Sequence, residues 1–247
     1  MDKHHREELK KDQFVETIGQ SVGYVSSHRQ QAFTYAGIAL AALAIAAGVY
    51  YYTQSKRATE QATLAQALQI KSATIGVAGQ PGDPRPSFPT EEEKNKALIK
   101  ALTEVVTKHP GSDAAAVAHF QLGVTASDSG KMDEAAKQFE QAVATGSREY
   151  ASAARLALGQ VYPALGKMAE AEKVLRELMA SPSNLVSKEQ ATFTLARVLS
   201  SVKPEEARKL IDPLQKDSRP AIARSAVALY AEIPGPPAAP AAPPAAK

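Results

Sequence analysis

Cysteine and tryptophan are both absent from this chain of 247 residues. Without a thiol there is no disulfide, no thiolate nucleophile and no cysteine-ligated zinc site. The compartment stays open, because many exported proteins also lack cysteine. Aromatic residues make up only 6 % of the chain, whereas alanine is abundant; that balance favours closely packed helices over a sheet. A strong charge of one sign is missing too. The formal net charge is +3, and basic residues interleave with acidic ones, so there is no phosphate-binding footprint for nucleic acid.

Motifs that carry chemistry are equally lacking. There is no Gly-rich phosphate loop and no His-Glu-x-x-His, and no serine sits in a Gly-x-Ser-x-Gly elbow. His4, His5 and His28 have no further ligands at metal spacing, and nothing local pairs His109 or His119 with a carboxylate. Asp128, Glu134 and Glu170 fall at turns, where caps and solvated charges are the default. The sequence therefore predicts no enzymatic activity, no cofactor, no metal and no small-molecule substrate.

What the chain does have is one long apolar run. Residues 30–55 carry no charge, and 32–52 read AFTYAGIALAALAIAAGVYYY. A bilayer core needs roughly 20 apolar residues in helical form, and a helix satisfies its own backbone polar groups in lipid. Tyr35 at one end and Tyr50, Tyr51 and Tyr52 at the other suit the two lipid–water boundaries. A cleaved signal peptide would have a shorter apolar region and a small-residue cleavage site; about 30 polar residues precede this one. A buried core helix would show a polar face, and here apolar and small residues go all the way round. The expectation is a retained single transmembrane helix over 32–52, in contact with the lipid bilayer.

Orientation is less sharply written. Lys10, Lys11 and Arg29 on one flank balance Lys56, Arg57 and Lys71 on the other, and Lys3 and Arg6 tip the count towards a cytoplasmic N-terminus. Before the span, residues 7–30 read as a helix, with Phe14, Ile18, Val22 and Val25 on one stripe. That stripe suits either a headgroup-level surface helix or a docking helix for a membrane partner.

The rest of the chain is repetitive. Gly-Lys-Met-x-Glu-Ala occurs at 130–135 and again at 166–171, with a degenerate copy at 203–207. Ala135, Ala171 and Ala207 stand 36 residues apart (171 − 135 and 207 − 171). Upstream of each copy lies a Leu-small pair: Leu122–Gly123, Leu158–Gly159 and Leu195–Ala196. Each unit splits into two helices around the Gly-Lys turn, because glycine takes the left-handed conformation cheaply. The small residue of the Leu-small pair lets two helices approach closely. A lone hairpin cannot bury its apolar face, so hairpins stack into a superhelix with a concave side.

This pattern resembles the tetratricopeptide repeat family. The first unit matches at Leu122, Gly123, Ala135, Phe139 and Ala142, and departs at Ala126 and Ser147. The second matches at Leu158, Gly159, Tyr162 and Ala171, with Leu175 and Leu178 as replacements. The third keeps Leu195, Ala196 and Ala207 with a shortened turn. Residues 91–109 look like the second helix of an earlier hairpin. Its partner is expected at 56–75, with Ala62, Ala65 and Leu68 on one side. The Pro- and Gly-rich stretch 77–89 cannot be regular helix. Residues 220–233 read as a capping helix and 234–247 as an extended Pro/Ala tail. The fold class is thus all-α: a single transmembrane helix followed by a tetratricopeptide-like right-handed solenoid of helical hairpins. The domains are 1–31 (cytoplasmic), 32–52 (span), 53–233 (repeats) and 234–247 (tail).

The resemblance implies that first helices of each pair line the concave groove: Val117, Phe120, Val124 and Ser127; then Ala153, Leu156, Gln160 and Pro163; then Gln190, Phe193, Arg197 and Ser200. Phe120 and Phe193 could equally be core. The groove lacks the Lys/Asn set with which some relatives clamp a C-terminal carboxylate, so it should favour apolar or extended segments over acidic tails.

The whole layout is similar to the ancillary SecYEG translocon subunit family, whose repeat domain is related to that of cell division coordinator proteins. Lys11-Asp12-Gln13-Phe14-Val15, Gly23-Tyr24-Val25 and His28-Arg29-Gln30-Gln31 look like that group's pre-membrane signature. The resemblance implies a bacterial inner-membrane protein with its repeats in the periplasm, whose partners are the translocon, periplasmic chaperones and emerging polypeptides. A general envelope scaffold for cell division or outer-membrane assembly is the alternative.

Overall fold

The computed structural model describes residues 29–76 and 86–235. The expected pre-membrane helix with Phe14, Ile18, Val22 and Val25 lies outside the described residues, as do most of the Pro-rich stretch and of the tail. The chain divides between Ala58 and Thr59 into two compact units.

The apolar run lies in one continuous helix, α1 (Arg29–Lys71). Its alanines and straight-chain residues lose little on entering a helix. The segment Phe33–Lys71 is long and apolar enough to cross a membrane, and its most apolar stretch is wholly unburied.

In the second unit, the last turns of α1 pack through Leu64, Ala67 and Ile70 against Leu98, Leu102 and Val105. The row Ala62, Ala65 and Leu68 lies outside this contact: Ala62 and Ala65 are exposed and Leu68 is partly buried. Ala67 is buried in this contact, and Leu64 and Ile70 are partly buried on either side of it. His109 Nε2 lies 3.2 Å from Thr63 Oγ1 on the same side. After α1 come two residues of strand, β1 (Thr74–Ile75), paired in parallel with β2 (Ser87–Phe88). A pairing this short leaves no period in the sequence.

Eight further α-helices follow among the described residues: α2 (Glu91–Lys108), α3 (Asp113–Asp128), α4 (Met132–Thr145), α5 (Arg148–Val161), α6 (Met168–Ala180), α7 (Lys188–Leu199), α8 (Pro204–Ile211) and α9 (Pro220–Glu232). Thr90, Ser112 and Ser187 accept a backbone N–H with their side-chain oxygens and so start α2, α3 and α7. The pairs α3/α4, α5/α6 and α7/α8 are antiparallel hairpins, each packed on the next. Two of them turn at Gly130 (φ 74°) and Gly166 (φ 72°). There Lys131 N donates to Ala126 O and Lys167 N to Tyr162 O, each at 2.9 Å, while the glycine N–H bonds the carbonyl three residues back. That pair of hydrogen bonds closes a helix end around a left-handed glycine. The third turn has no glycine. It closes with Lys203 N on Leu199 O at 2.7 Å and restarts with Pro204 at the first helical position.

Within each hairpin one bulky side chain fills the gap left by one small residue. A Cβ added to Gly123 would meet the Phe139 ring at 2.7 Å, and one added to Gly159 would meet Leu175 at 2.6 Å. In the third hairpin Ala196 and Ile211 hold the corresponding places, both fully buried in one core cluster. Ile211 follows Leu175 by 36 residues, as Leu175 follows Phe139 (211 − 175 and 175 − 139). Ala135, Ala171 and Ala207 are also fully buried, as is Leu195; Leu158 is buried and Leu122 partly so. Tyr162 is buried, and its hydroxyl donates to Glu140 Oε1 at 3.1 Å. Burial and that carboxylate push the phenol up to about 12. Ala126 holds the place 36 residues earlier (162 − 126) and is itself buried.

Ion pairs tie the last elements down. Arg219 reaches Asp217 Oδ2 at 2.8 Å and Glu189 Oε1 at 2.7 Å. Its guanidinium holds the Asp217 carboxyl down from the ordinary 3.8 to about 2, and Glu189 is also lowered. A depressed carboxylate favours the fold above its unfolded pKa, and that contribution vanishes as pH falls through the folded value. The bracing of Arg219 by Asp217 at the start of α9 should therefore be complete above about pH 4 and lost near pH 2. Hydrogen exchange at α9 between pH 5 and pH 2 checks this: protection should fall as pH drops, and Asp217→Asn should flatten the change. An Asp217→Asn profile identical to that of the parent would refute it.

Candidate functional site

First helices of successive hairpins touch each other as well as their own partners: α3 packs on α5 and α5 on α7. They consequently share one side of the stack. On that side lies a pocket of about 540 Å³, within the range that holds ligand side chains. Its walls come from three successive structural pieces. Phe120, Val124, Ser127 and Asp128 belong to α3; Ala153, Leu156, Ala157 and Gln160 to α5; Leu185, Val186 and Gln190 to the α6–α7 connection and the start of α7. Phe139 and Met132 reach in from α4.

The periodicity of α3 explains its share. Phe120, Val124 and Ser127 recur at helical spacing, one step round from the buried row Ala116, Gly123 and Ala126. Phe120 is half-buried and tilts at 55° against Phe139, with centroids 5.5 Å apart. It is therefore both core and wall. Leu156 is buried in α5, yet its edge faces the pocket. Leu185 is 50 % exposed while its neighbour Val186 is 1 % exposed. The connection is fixed from behind by Ser183, whose hydroxyl accepts the N–H of Leu185 and Val186 and meets Ser152 Oγ at 2.5 Å.

Of the residues expected along the groove, Phe120, Val124, Ser127, Ala153, Leu156, Gln160 and Gln190 come together here. Val117 and Pro163 are partly buried but are not in these walls. Phe193 packs against the core of the C-terminal hairpins instead. Arg197 is exposed and lies outside the walls, as does Ser200. The pocket thus takes in seven of the twelve residues expected along the groove and ends at the first turn of α7. Leu185 and Val186 were not foreseen, because they sit in an aperiodic connection. Asp128 was read only as a turn residue, and Met132 only as part of the repeated Gly-Lys-Met string.

The polar part of the lining is sparse. Gln160 and Gln190 are exposed, and their carboxamides make no hydrogen bond among the described residues; Asp128 is exposed with no ion pair there. No group of three or more potential metal ligands occurs among the described residues. Apolar walls, two free carboxamides and a flexible thioether can grip an apolar side chain and its backbone.

None of the curated proteins compared matches the chain. Among solved structures, TPR-like repeats of a kinesin light chain candidate from Podosopora anserina share 18 % identity, with a TM-score of 0.48 over 57 % of this chain and 78 % of theirs. A singly substituted form of the same repeats gives 17 % and 0.49, with the same coverage. The profile of the tetratricopeptide repeat-like domain matches residues 28–182, which take in the apolar run, the first two hairpins and their junctions. The chain belongs to the tetratricopeptide repeat-like domain family.

Proposed function

We propose that the protein is a membrane-anchored protein–protein interaction module, an accessory subunit of the SecYEG translocon in the bacterial inner membrane. In this reading residues 1–31 are cytoplasmic and 32–52 span the bilayer. Residues 53–233 form a periplasmic repeat domain that presents its groove to chaperones or emerging polypeptides, and 234–247 are a tail. Stacked helical repeats expose concave surfaces suited to proteins; the translocon assignment rests on the pre-membrane resemblance.

The observation that carries the anchor is the exposure of the apolar part of α1. Phe33, Ile38, Leu43 and Ile45 are each at least 61 % exposed, as are Tyr50, Tyr51 and Tyr52. In water that surface would be costly at about 25 cal/mol per Å². In a bilayer it is matched, and the tyrosines fall where the hydrocarbon ends.

Single cysteines at Ser27 and Ser147, probed in intact cells with a membrane-impermeant thiol reagent, test this directly. Labelling at Ser147→Cys alone is expected. Labelling at Ser27→Cys alone would reverse the orientation and remove the periplasmic role. Photocrosslinkers along residues 14–52 should capture translocon subunits. Capture of division or outer-membrane assembly proteins alone would favour the envelope scaffold.

A further inference from the structure

We propose that the groove selects extended segments carrying a lysine or arginine beside their apolar residue, with Asp128 as the selecting group. This rests on the reading of the groove as a site for protein segments.

Charge complementarity is the argument. Among the described residues the pocket walls contain one ionisable side chain, Asp128, and no cation. Asp128 is exposed and has no ion pair among the described residues. The lysine nearest in sequence, Lys131, is turned to Glu134, 3.8 Å away. Arg155 sits on α5 but lines a different pocket, with Glu177. Asp128 is also the last residue of α3, and that helix has no basic residue in its last turn. The negative end of the helix dipole therefore adds to the carboxylate rather than cancelling it. One end of an otherwise apolar groove is electronegative. Gln160 and Gln190 can each donate and accept, so they suit the unpaired N–H and C=O groups of an extended strand. An acidic flank would meet Asp128 with no cation in the walls to offset it; a basic flank would pair with it.

The test uses the full chain in detergent micelles and three fluorescent nonapeptides. They share one Leu/Phe core and differ only in flanks of Lys, Gln or Glu at both ends. Binding is read by anisotropy. The Lys peptide should bind about fivefold tighter than the Glu peptide at low salt, the scale of an exposed ion pair gained against a repulsion. The gap should shrink as salt is raised. Asp128→Lys should invert the order. Val124→Glu should weaken all three peptides, because it places a charge in the apolar wall. Equal binding of the three peptides, with Val124→Glu still disruptive, would overturn the charge selection and leave the groove reading intact. No binding, or binding indifferent to Val124→Glu, would overturn both. Should Asp128→Lys fail to fold, the salt dependence of the parent's preference decides: a salt-independent preference would remove Asp128 from the account.

Discussion

Gly159→Leu is expected to abolish cooperative folding of the α5/α6 hairpin and to pull its neighbours with it. A Cβ at this position would lie 2.6 Å from Cγ and Cδ2 of Leu175 and 2.9 Å from its Cδ1. Leu175 is fully buried beside Leu156, Leu178 and Leu195, so it has nowhere to turn. Even Gly159→Ala forces α5 and α6 apart, at a cost of about 1–3 kcal/mol for overpacking. Leucine adds three further carbons and should exceed that range, against a total domain stability of about 5–15 kcal/mol. The decisive control is Gly48→Leu. A Cβ at Gly48 meets nothing within 4 Å, and the melting of the repeats should not change. The double variant Gly159→Ala/Leu175→Ala should lose less than the sum of the two single losses, which identifies the contact rather than the helix as the source of the Gly159→Ala loss. Circular-dichroism melts decide: a Gly159→Leu midpoint within a degree or two of the parent would mean that the helices do not meet at this point.

Phe139→Ala should be the most destabilising truncation in the first hairpin. The ring is 2 % exposed, sits in the notch at Gly123 and supports Phe120. Removing a buried phenylalanine costs about 3–5 kcal/mol, or about 10 °C in the midpoint of a domain this size. Repeat arrays are coupled mainly between neighbours. Hydrogen exchange should therefore show early opening of α3 and α4, while α7–α9, which have their own core cluster, stay protected longer. Because Phe139 also lines the pocket, peptide affinity should fall before the fold does. Phe139→Leu, which keeps most of the volume, should retain most of both. Loss of affinity with no loss of stability would make Phe139 a wall residue alone.

Sequence by itself determined the helical class, the number and phase of the hairpins and the notch residues. Those features repeat about every 36 residues or follow a helical stripe, and a repeated constraint is visible in one chain. The apolar run of α1 was equally plain, because a stretch without charge needs no partner to be recognised. Three things had to wait for the tertiary structure. Which stripe of the last turns of α1 faces inward was decided by the fit of Leu64, Ala67 and Ile70 against α2, since alanine-rich faces look alike in sequence. The β1–β2 pairing joins two short segments too brief to carry a pattern. The far wall of the groove was decided by the α6–α7 connection, where Ser183 and Ser152 hold Leu185 over the pocket. Periodicity reports which side of a helix is apolar; it is silent about aperiodic chain, and only packing tells a wall from a core.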